Sequence, residues 1–350
     1  MSKLLSIIIP TFNMEKYLDR CLSSLVVGSK HLSLFEALII NDGSTDRSSE
    51  IGHKYHDQYP DTFFVIDKEN HHYGSCINRG LMEATGTFVK VLDSDDLFDK
   101  DVFVKFLDYL ASPEVSEHAD IILSDYTDVD KDLRPIHTLC YSHYSGPVSL
   151  NSITDYDLLE WSMPGICYRT SILVDSHYQQ LEGTPYTDLE WTFTPVAYAQ
   201  VLYRFEGSLY WYVRGREGQS VEDKVHAKNL DKEVQVVEHL IVNFCLIADK
   251  INPINQSFLN KRLYLLGTHL YQYYLLSFRR YITNQKRLIE FDEFTLNHYP
   301  SLHSEYERYT TRIAGIPFHL IKDWRSRKIL YHIELNLYKI ADLKNRLLAK

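Results

Sequence analysis

The 350-residue chain has no CxxC pair and no cluster of cysteine with histidine. Its five cysteines, Cys21, Cys76, Cys140, Cys167 and Cys245, are scattered and odd in number. That excludes a zinc-ribbon reading and fits a reducing compartment. Nowhere does an apolar run reach the roughly eighteen residues a membrane span needs. The hydrophobic start Leu4–Pro10 (LLSIIIP) is too short for a signal-peptide core. Internal repeats and low-complexity segments are absent. The expectation is a cytoplasmic protein, soluble or peripheral at the inner face of the cell membrane. Positive charge is also scarce, with 37 Lys+Arg against 47 Asp+Glu and a net charge of −10. This argues against nucleic acid as a partner. The shortage is uneven. Residues 301–350 hold ten Lys/Arg and five Asp/Glu, a local +5 (10 − 5), which leaves −15 (−10 − 5) for the rest.

What is present suits a globular protein with 45% hydrophobic residues, long enough for two domains. Leu4–Pro10 reads as a buried strand, and Tyr17, Leu18, Cys21, Leu22 and Leu25 then fall at helical spacing. Leu34–Ile40 is a second strand, closing on Asn41–Asp46 (NDGSTD). There Gly43 supplies a turn and Ser44 or Thr45 can cap the next helix. Thr62–Asp67 is a third strand, Cys76–Thr85 a short helix and Phe88–Leu92 a fourth strand. Strand–helix alternation over the first hundred residues predicts a doubly wound, Rossmann-like α/β sheet. Helix Asp99–Leu110 and strand Ala119–Ser124 follow, then an irregular stretch over 136–157 with a helix at Ile153–Trp161. Met163–Arg169 is a turn entering a short strand. Thr184–Thr194 begins a helix with Asp188 and Glu190 in its first turn, and Leu202–Val213 reads as two strands meeting near Gly207. Beyond about Val221 glycine thins and helical patterns take over at 223–249, 257–282, 302–312 and 318–347. The predicted domains are 1–220 and 221–350.

Four constellations carry chemistry. Phe88–Leu97 (FVKVLDSDDL) ends a buried strand in Asp93, Asp95 and Asp96. Clustered buried acid is costly unless a cation accompanies it. Ligands of open α/β sheets sit beyond the strand ends, so Asp-x-Asp there suits Mg²⁺ or Mn²⁺ carrying a diphosphate. The same letters also read as a helix start near Leu97, capped by Asp95 or Asp96. Asn41–Asp46 offers an acid to a base or ribose, or is an ordinary Asx turn. Asp188 and Glu190 offer a general base or cap a helix. Tyr212–Ser220 (YVRGREGQS) brings Arg214 and Arg216 on a glycine-punctuated loop, which either closes over phosphates or is solvated. Among 26 tyrosines and four tryptophans, Trp161 and Trp191 flank these segments and are the candidate acceptor-sugar faces.

Ser6–Asn13 (SIIIPTFN), Asn41–Asp46, Asn70 and Gly74, Asn78–Gly80 (NRG) and Leu92–Asp96 (LDSDD), in this order and spacing, resemble family 2 glycosyltransferases. The resemblance is strong over residues 5–100, thinner to about 220, and absent from the helical tail. It implies a GT-A fold with a mixed sheet and a helical C-terminal region, and an inverting transfer of a hexose or N-acetylhexosamine. The donor would be a UDP-sugar, the acceptor a glycan or lipid-linked hydroxyl, and the cofactor Mn²⁺ or Mg²⁺. The resemblance places Pro10, Thr11 and Asn13 at the nucleotide edge and Asp42 against the base. Asn41 stands where the family more often has Asp. Asn78 and Arg79 would lie near the diphosphate, Asp93 and Ser94 at the ribose and donor sugar, and Asp95 on the metal, while Asp96 remains the cap. Asp188 would be the base, with Glu190 the fallback, although Thr187 replaces the glutamate that usually precedes it. Arg214, Arg216 and Ser220 resemble the family's donor-closing loop.

Two further readings stay open. The basic amphipathic stretch Ile333, Leu337, Ile340, Leu343 and Leu347 either packs on the catalytic domain or a second subunit, or rests on anionic lipid. Rival classes are a nucleotidyltransferase, which usually has a Gly-rich basic loop where this chain has Pro10–Asn13, and a non-catalytic sugar-binding protein. A glycoside hydrolase would not need the nucleotide turn.

Overall fold

The computed structural model describes residues 3–142, 144, 146–150, 153, 161–215, 222–279, 281–282, 284–313, 315–326 and 336–338. It divides into two compact units, Met1–Glu217 with Pro253–Asn255, and Gly218–Asn252 with Gln256–Lys350.

The first unit is a mixed sheet. Strands β1 (Leu5–Thr11), β2 (Phe35–Asp42) and β3 (Phe63–Lys68) run parallel in the order β3–β2–β1, with β4 (Phe88–Val91) parallel on the other side of β1. Every residue of β1, β2 and β4 is buried, because helices cover both faces, and this is why those strands are mainly apolar rather than alternating, with Ser6, Glu36 and Lys90 the polar residues inside them. Helix α1 (Leu18–Ser24) follows β1, α2 (Ser29–Leu32) leads into β2, α3 (Ser48–Gln58) follows β2, and α4 (His72–Glu83) follows β3. Helix α4 lies hard against β1. A Cβ on Gly80 would stand 2.6 Å from Ile8 Cγ2, so only glycine allows this approach.

Beyond β4 the sheet is mixed. It continues through β9 (Ile166–Arg169) to β6 (Ile121–Val129), β10 (Val201–Val213) and the two-residue β5 (Leu97–Phe98), with β7 (Pro135–Leu139) on β6 and β8 (Val148–Ser149) on β10. Strand β9 runs antiparallel to both its neighbours, while β6 and β10 run parallel to each other. Helices α5 (Lys100–Leu110) and α6 (Pro113–His118) separate β5 from β6. Aromatic edges knit the core, with Phe35 and Phe98 at 5.1 and 5.3 Å from Phe103 and Phe106 at 5.1 Å from Phe205.

Three local readings change. Val201–Val213 is one strand, not two, and the irregularity near Gly207 is a pair of register shifts against β6. Leu97–Phe98 pairs with Tyr210–Trp211 instead of starting a helix, which begins at Lys100. Asp99 caps that helix, accepting from the amides of Asp101 and Val102, so neither Asp95 nor Asp96 is the cap. Pro135–Leu139 is also strand, where irregular chain was expected.

The second unit contains helices Asp223–Ile247, the Pro253–Gln272 helix from Gln256 onward, Lys286–His298, Pro300–Tyr306 and Leu320–Arg325. Lys286–His298 was not anticipated. Thr311–Ile313 forms a small hairpin with Ile316–Phe318 where helix was expected. Arg325 ties this unit together, donating to Asp292 at 2.6 Å and to Tyr271 Oη at 3.1 Å. Among the described residues no helix is long and apolar enough to cross a membrane. The expected helix at 153–161 lies, apart from Ile153 and Trp161, outside the described residues, as does the amphipathic C-terminal stretch apart from Leu337.

Candidate functional site

The connection β1–β2–β3 moves one way from β1 and the return to β4 moves the other. The strand order therefore reverses between β1 and β4, and that crevice is where open α/β sheets bind ligands. Four strand ends meet there: Pro10–Asn13, Asn41–Asp42, Lys68 and Leu92–Asp96.

The turns at this edge brace one another. Asn13 adopts φ +54°, and its amide donates to Ser44 Oγ at 3.0 Å while its side-chain oxygen accepts from the Thr45 amide at 2.9 Å. Asp46 accepts from the Glu15 amide at 3.0 Å and from the Ser48 hydroxyl at 2.6 Å. Burial would raise its carboxyl, but these hydrogen bonds outweigh burial and leave it lowered. Asn41 donates to Asp67 at 2.6 Å. Thr11 is buried and donates to the Ile9 carbonyl at 3.1 Å, while Ser94, also buried, donates to the Pro10 carbonyl at 2.8 Å. Pro10, Thr11, Asn13 and Ser94 thus shape the edge with groups turned toward the protein itself. Phe12 and Asn13 are the exposed residues of that loop.

Asp42 is buried at the end of β2 and accepts from Lys68 Nζ and from the His71 amide. Lys68 also donates to Ser75 Oγ at 2.9 Å, which fastens the start of α4 to this acid. Cys76 stands in the same place, its thiol pushed up to about 12 by burial and by the charge of Asp42.

The three acids after β4 occupy three environments. Asp96 is fully buried, accepting from Tyr210 Oη at 2.6 Å and from the Val213 amide at 2.8 Å. Burial, then the charges of Asp95 and Asp93, push its carboxyl well up, which favours the neutral acid. Asp95 is half-buried, and its carbonyl accepts from Arg20 at 2.8 Å. Arg20 thereby ties α1 to the acidic strand end through the backbone, and the sequence reading did not single it out. Asp93 is half-buried and accepts from the Tyr73 hydroxyl at 2.9 Å, while its amide donates to Tyr210 Oη at 3.2 Å.

Asp188 and Glu190 lie in a four-residue helix, Asp188–Trp191, but face differently. Asp188 is exposed. Glu190 is 1% exposed and accepts from the Leu181 amide at 2.5 Å, which makes it a brace for the preceding loop. Asp188 is near the acid edge, because Tyr73 feels the charges of both Asp93 and Asp188.

Other expected contacts are engaged elsewhere. Asn78 donates to the Gln180 carbonyl (2.8 Å) and to Glu182 (2.9 Å), and accepts from the Gln180 amide (2.7 Å), so its carboxamide clamps the 180–182 loop. Arg79 pairs with Glu83 one turn along α4. Arg214 pairs with Asp128 at 3.0 Å and lies over the Tyr212 ring. Trp161 and Trp191 are 2% and 1% exposed, and Trp191 packs edge-on against Tyr168 at 5.2 Å. Neither tryptophan presents a face to an acceptor sugar, and burial is the reason. Arg216 and Ser220 lie outside the described residues.

A divalent ion fits this donor set in one form only. Among the described residues no group of three or more His, Cys, Asp or Glu could hold a metal by itself. One or two carboxylates, Asp95 foremost, would therefore share the ion with diphosphate and water oxygens, as Mg²⁺ and Mn²⁺ accept.

The comparisons agree with this geometry. Residues 6–157 match the model of glycosyl transferase family 2. The uncharacterized glycosyltransferase MG060 of Mycoplasma genitalium is 27% identical over 245 residues, 68% of this chain and 79% of the relative. The poly(ribitol-phosphate) beta-N-acetylglucosaminyltransferase TarS of Staphylococcus aureus is 27% identical over 263 residues, 73% of this chain but only 44% of TarS. The glycosyltransferase GlyA of Streptococcus pneumoniae is 31% identical over 122 residues, 35% of this chain and 16% of GlyA. The chain thus spans less than half the length of two of these three. The crystal structure of S. aureus TarS 1-349 superposes with a TM-score of 0.56 at 18% identity, covering 90% of this chain and 95% of that one. Residues 6–157, a little under half of the chain, thus carry the likeness to glycosyl transferase family 2, on a sheet of the GT-A kind.

Proposed function

We propose that this protein transfers a hexose or N-acetylhexosamine from a UDP-sugar to a hydroxyl of a glycan or lipid-linked acceptor, with inversion. One observation carries the reading. Asp42, Asp93 and Asp95 follow the strand ends at the reversal point of the sheet, and Tyr73, which donates to Asp93, is also within electrostatic reach of Asp188. UDP-GlcNAc is the first donor to test, because TarS carries that sugar in its name and was crystallised with UDP-GlcNAc.

In this mechanism Asp188, exposed beside the donor edge, takes the proton of the acceptor hydroxyl. The freed oxygen attacks the anomeric carbon from the face opposite the diphosphate, the bond to UDP breaks, and the sugar inverts. Asp42 and the Asn41–Asp46 turn meet the nucleoside, and Asp93 meets the ribose and sugar. A divalent ion held by Asp95 would offset charge on the departing diphosphate. Arg214 would swing from Asp128 to approach the phosphates.

The test is UDP release from a panel of UDP-sugars, with and without Mn²⁺, followed by linkage analysis of the product. Release of UDP in step with glycosylated product is the expected result. Turnover of sugar phosphate with nucleoside triphosphate, and no UDP release from any donor, would replace the reading with nucleotidyl transfer. The +5 charge of residues 301–350 would suit anionic lipid if the basic stretch does not instead pack on the catalytic domain or a second subunit. Flotation with phosphatidylserine but not phosphatidylcholine vesicles is then expected, and equal behaviour with both would remove a lipid role.

A further inference from the structure

We infer that Tyr73 is a positioning residue of the donor site, its hydroxyl fixing the plane of the Asp93 carboxylate beside the candidate base Asp188. The inference rests on the glycosyl-transfer reading and adds a residue that the sequence reading passed over.

The Tyr73 backbone is held from two sides. Its neighbour Gly74 meets the 180–181 loop so closely that a Cβ there would stand 2.0 Å from the Leu181 carbonyl oxygen. Only glycine lets α4 begin at this spot. His72, just before Tyr73, takes φ +67°, in the left-handed region that few non-glycine residues adopt. The Asn78 clamp on Gln180 and Glu182, and the Gly183 amide donating to the His71 carbonyl at 3.3 Å, fasten the same loop to α4. Glu190 in turn fastens that loop to the helix bearing Asp188, through the Leu181 amide. Loop, α4 and the Asp188 helix therefore form one braced body, and Tyr73 reaches from it to the acid edge.

The contact it makes is a charge-assisted one, phenol to carboxylate, at 2.9 Å. The Asp93 peptide is already fixed by its amide bond to Tyr210 and by the Cys21 thiol donating to its carbonyl at 3.7 Å. Tyr73 adds the torsion of the side chain. Holding Oδ1 decides where Oδ2 points, and hence whether a sugar or ribose hydroxyl finds its acceptor. Burial, then the charges of Asp93 and Asp188, push the phenol well above its ordinary value, so it remains a donor whenever the protein is working. A merely packed tyrosine would need neither the donor atom nor this carboxylate.

The experiment is a double-mutant cycle on the full chain: Tyr73→Phe, Asp93→Asn and both together. Calorimetric affinity for UDP-GlcNAc in Mn²⁺ and UDP release are the readouts, with thermal melting as the folding control. Removing one hydrogen bond to a charged group predicts a loss of ~10- to 100-fold for Tyr73→Phe. In the Asp93→Asn background the same change should cost less than ~3-fold, because the residue acts through that carboxylate. Tyr73→His, which keeps a donor on its ring, should recover part of the loss, and Tyr73→Leu, which also lacks the hydroxyl, replaces Tyr73→Phe in the cycle if the latter does not fold. Costs that add, with Asp93→Asn itself crippled, would overturn the inference and leave the donor site standing. Asp93→Asn indistinguishable from wild type would overturn both.

Discussion

Asp93, Asp95 and Asp96 show how neighbours, rather than residue type, assign roles. Asp96 is sealed beneath Tyr210 and the Val213 amide and pushed toward the neutral acid, so it is structural. Asp93 is held by a phenol, and Asp95 is half-buried at the strand end, its carbonyl accepting from Arg20. Asp95→Ala should therefore lower turnover of bound UDP-GlcNAc by at least ~10²-fold, the cost of losing a strong electrostatic stabiliser. UDP release at saturating donor and Mn²⁺ measures it, and near-normal turnover would sink the assignment. Asp188→Asn should cost a similar ~10²- to 10⁴-fold in turnover while donor affinity stays within about 3-fold, because a base acts on the acceptor. Weakened donor binding with turnover intact would move Asp188 out of that role. The acids were legible in the sequence because ligand edges of α/β sheets follow strand ends. Tyr73 was not, nor was the clamp that Asn78 makes, since these roles depend on partners 20 and 102 residues away.

Elements were legible where burial is two-sided. β1, β2 and β4 declare themselves as mainly apolar runs because helices cover both faces. β5 is only two residues long, and its pairing with Tyr210–Trp211 spans more than a hundred positions, so no local pattern could announce it. One element hides a charge. Lys90, in the middle of β4, is fully buried and donates to the carbonyls of Pro164 at 2.6 Å and Ile166 at 3.3 Å. Its pKa is brought down by burial, against a smaller opposing pull from Cys167, to about 8 from the ordinary 10.5. The folded pKa therefore lies below the unfolded one. Below pH 8 both states carry the proton and the cost of burying the charge is felt in full. Between about pH 8 and 10.5 the unfolded chain keeps the proton and the folded chain loses it, so stability gains as pH rises. Compared with Lys90→Met, the wild type should gain up to about 3 kcal/mol across that window. Denaturant melts of both proteins at the two ends of the window check this. A difference that is flat or falls with pH would show that Lys90 stays charged in the fold.

At the scale of the whole molecule, every described residue proposed for the donor or the base belongs to the first compact unit, and the long helices fall to the second. The division of labour follows from chain texture: βα alternation builds strand ends that converge, while the glycine-poor helical segments after residue 221 offer no such edge. A nucleotide bound where β1 and β4 part should then stabilise a defined set of backbone amides. These lie in 10–14, 41–46, 68–76 and 92–97, which the structure already links through Asn13–Thr45, Asp42–Lys68, Ser94–Pro10 and Asp93–Tyr73. At a donor concentration 100 times its dissociation constant the gain is about 2.7 kcal/mol, a ~10²-fold slowing of exchange wherever opening and binding are exclusive. Hydrogen exchange of the full chain with UDP and Mn²⁺ reads it segment by segment. Slowing confined to those four segments is the expected pattern, because each contributes one wall of the same crevice. Slowing that appears instead in 223–247 or 286–298 would place the nucleotide on the helical unit and remove the sheet edge from the function.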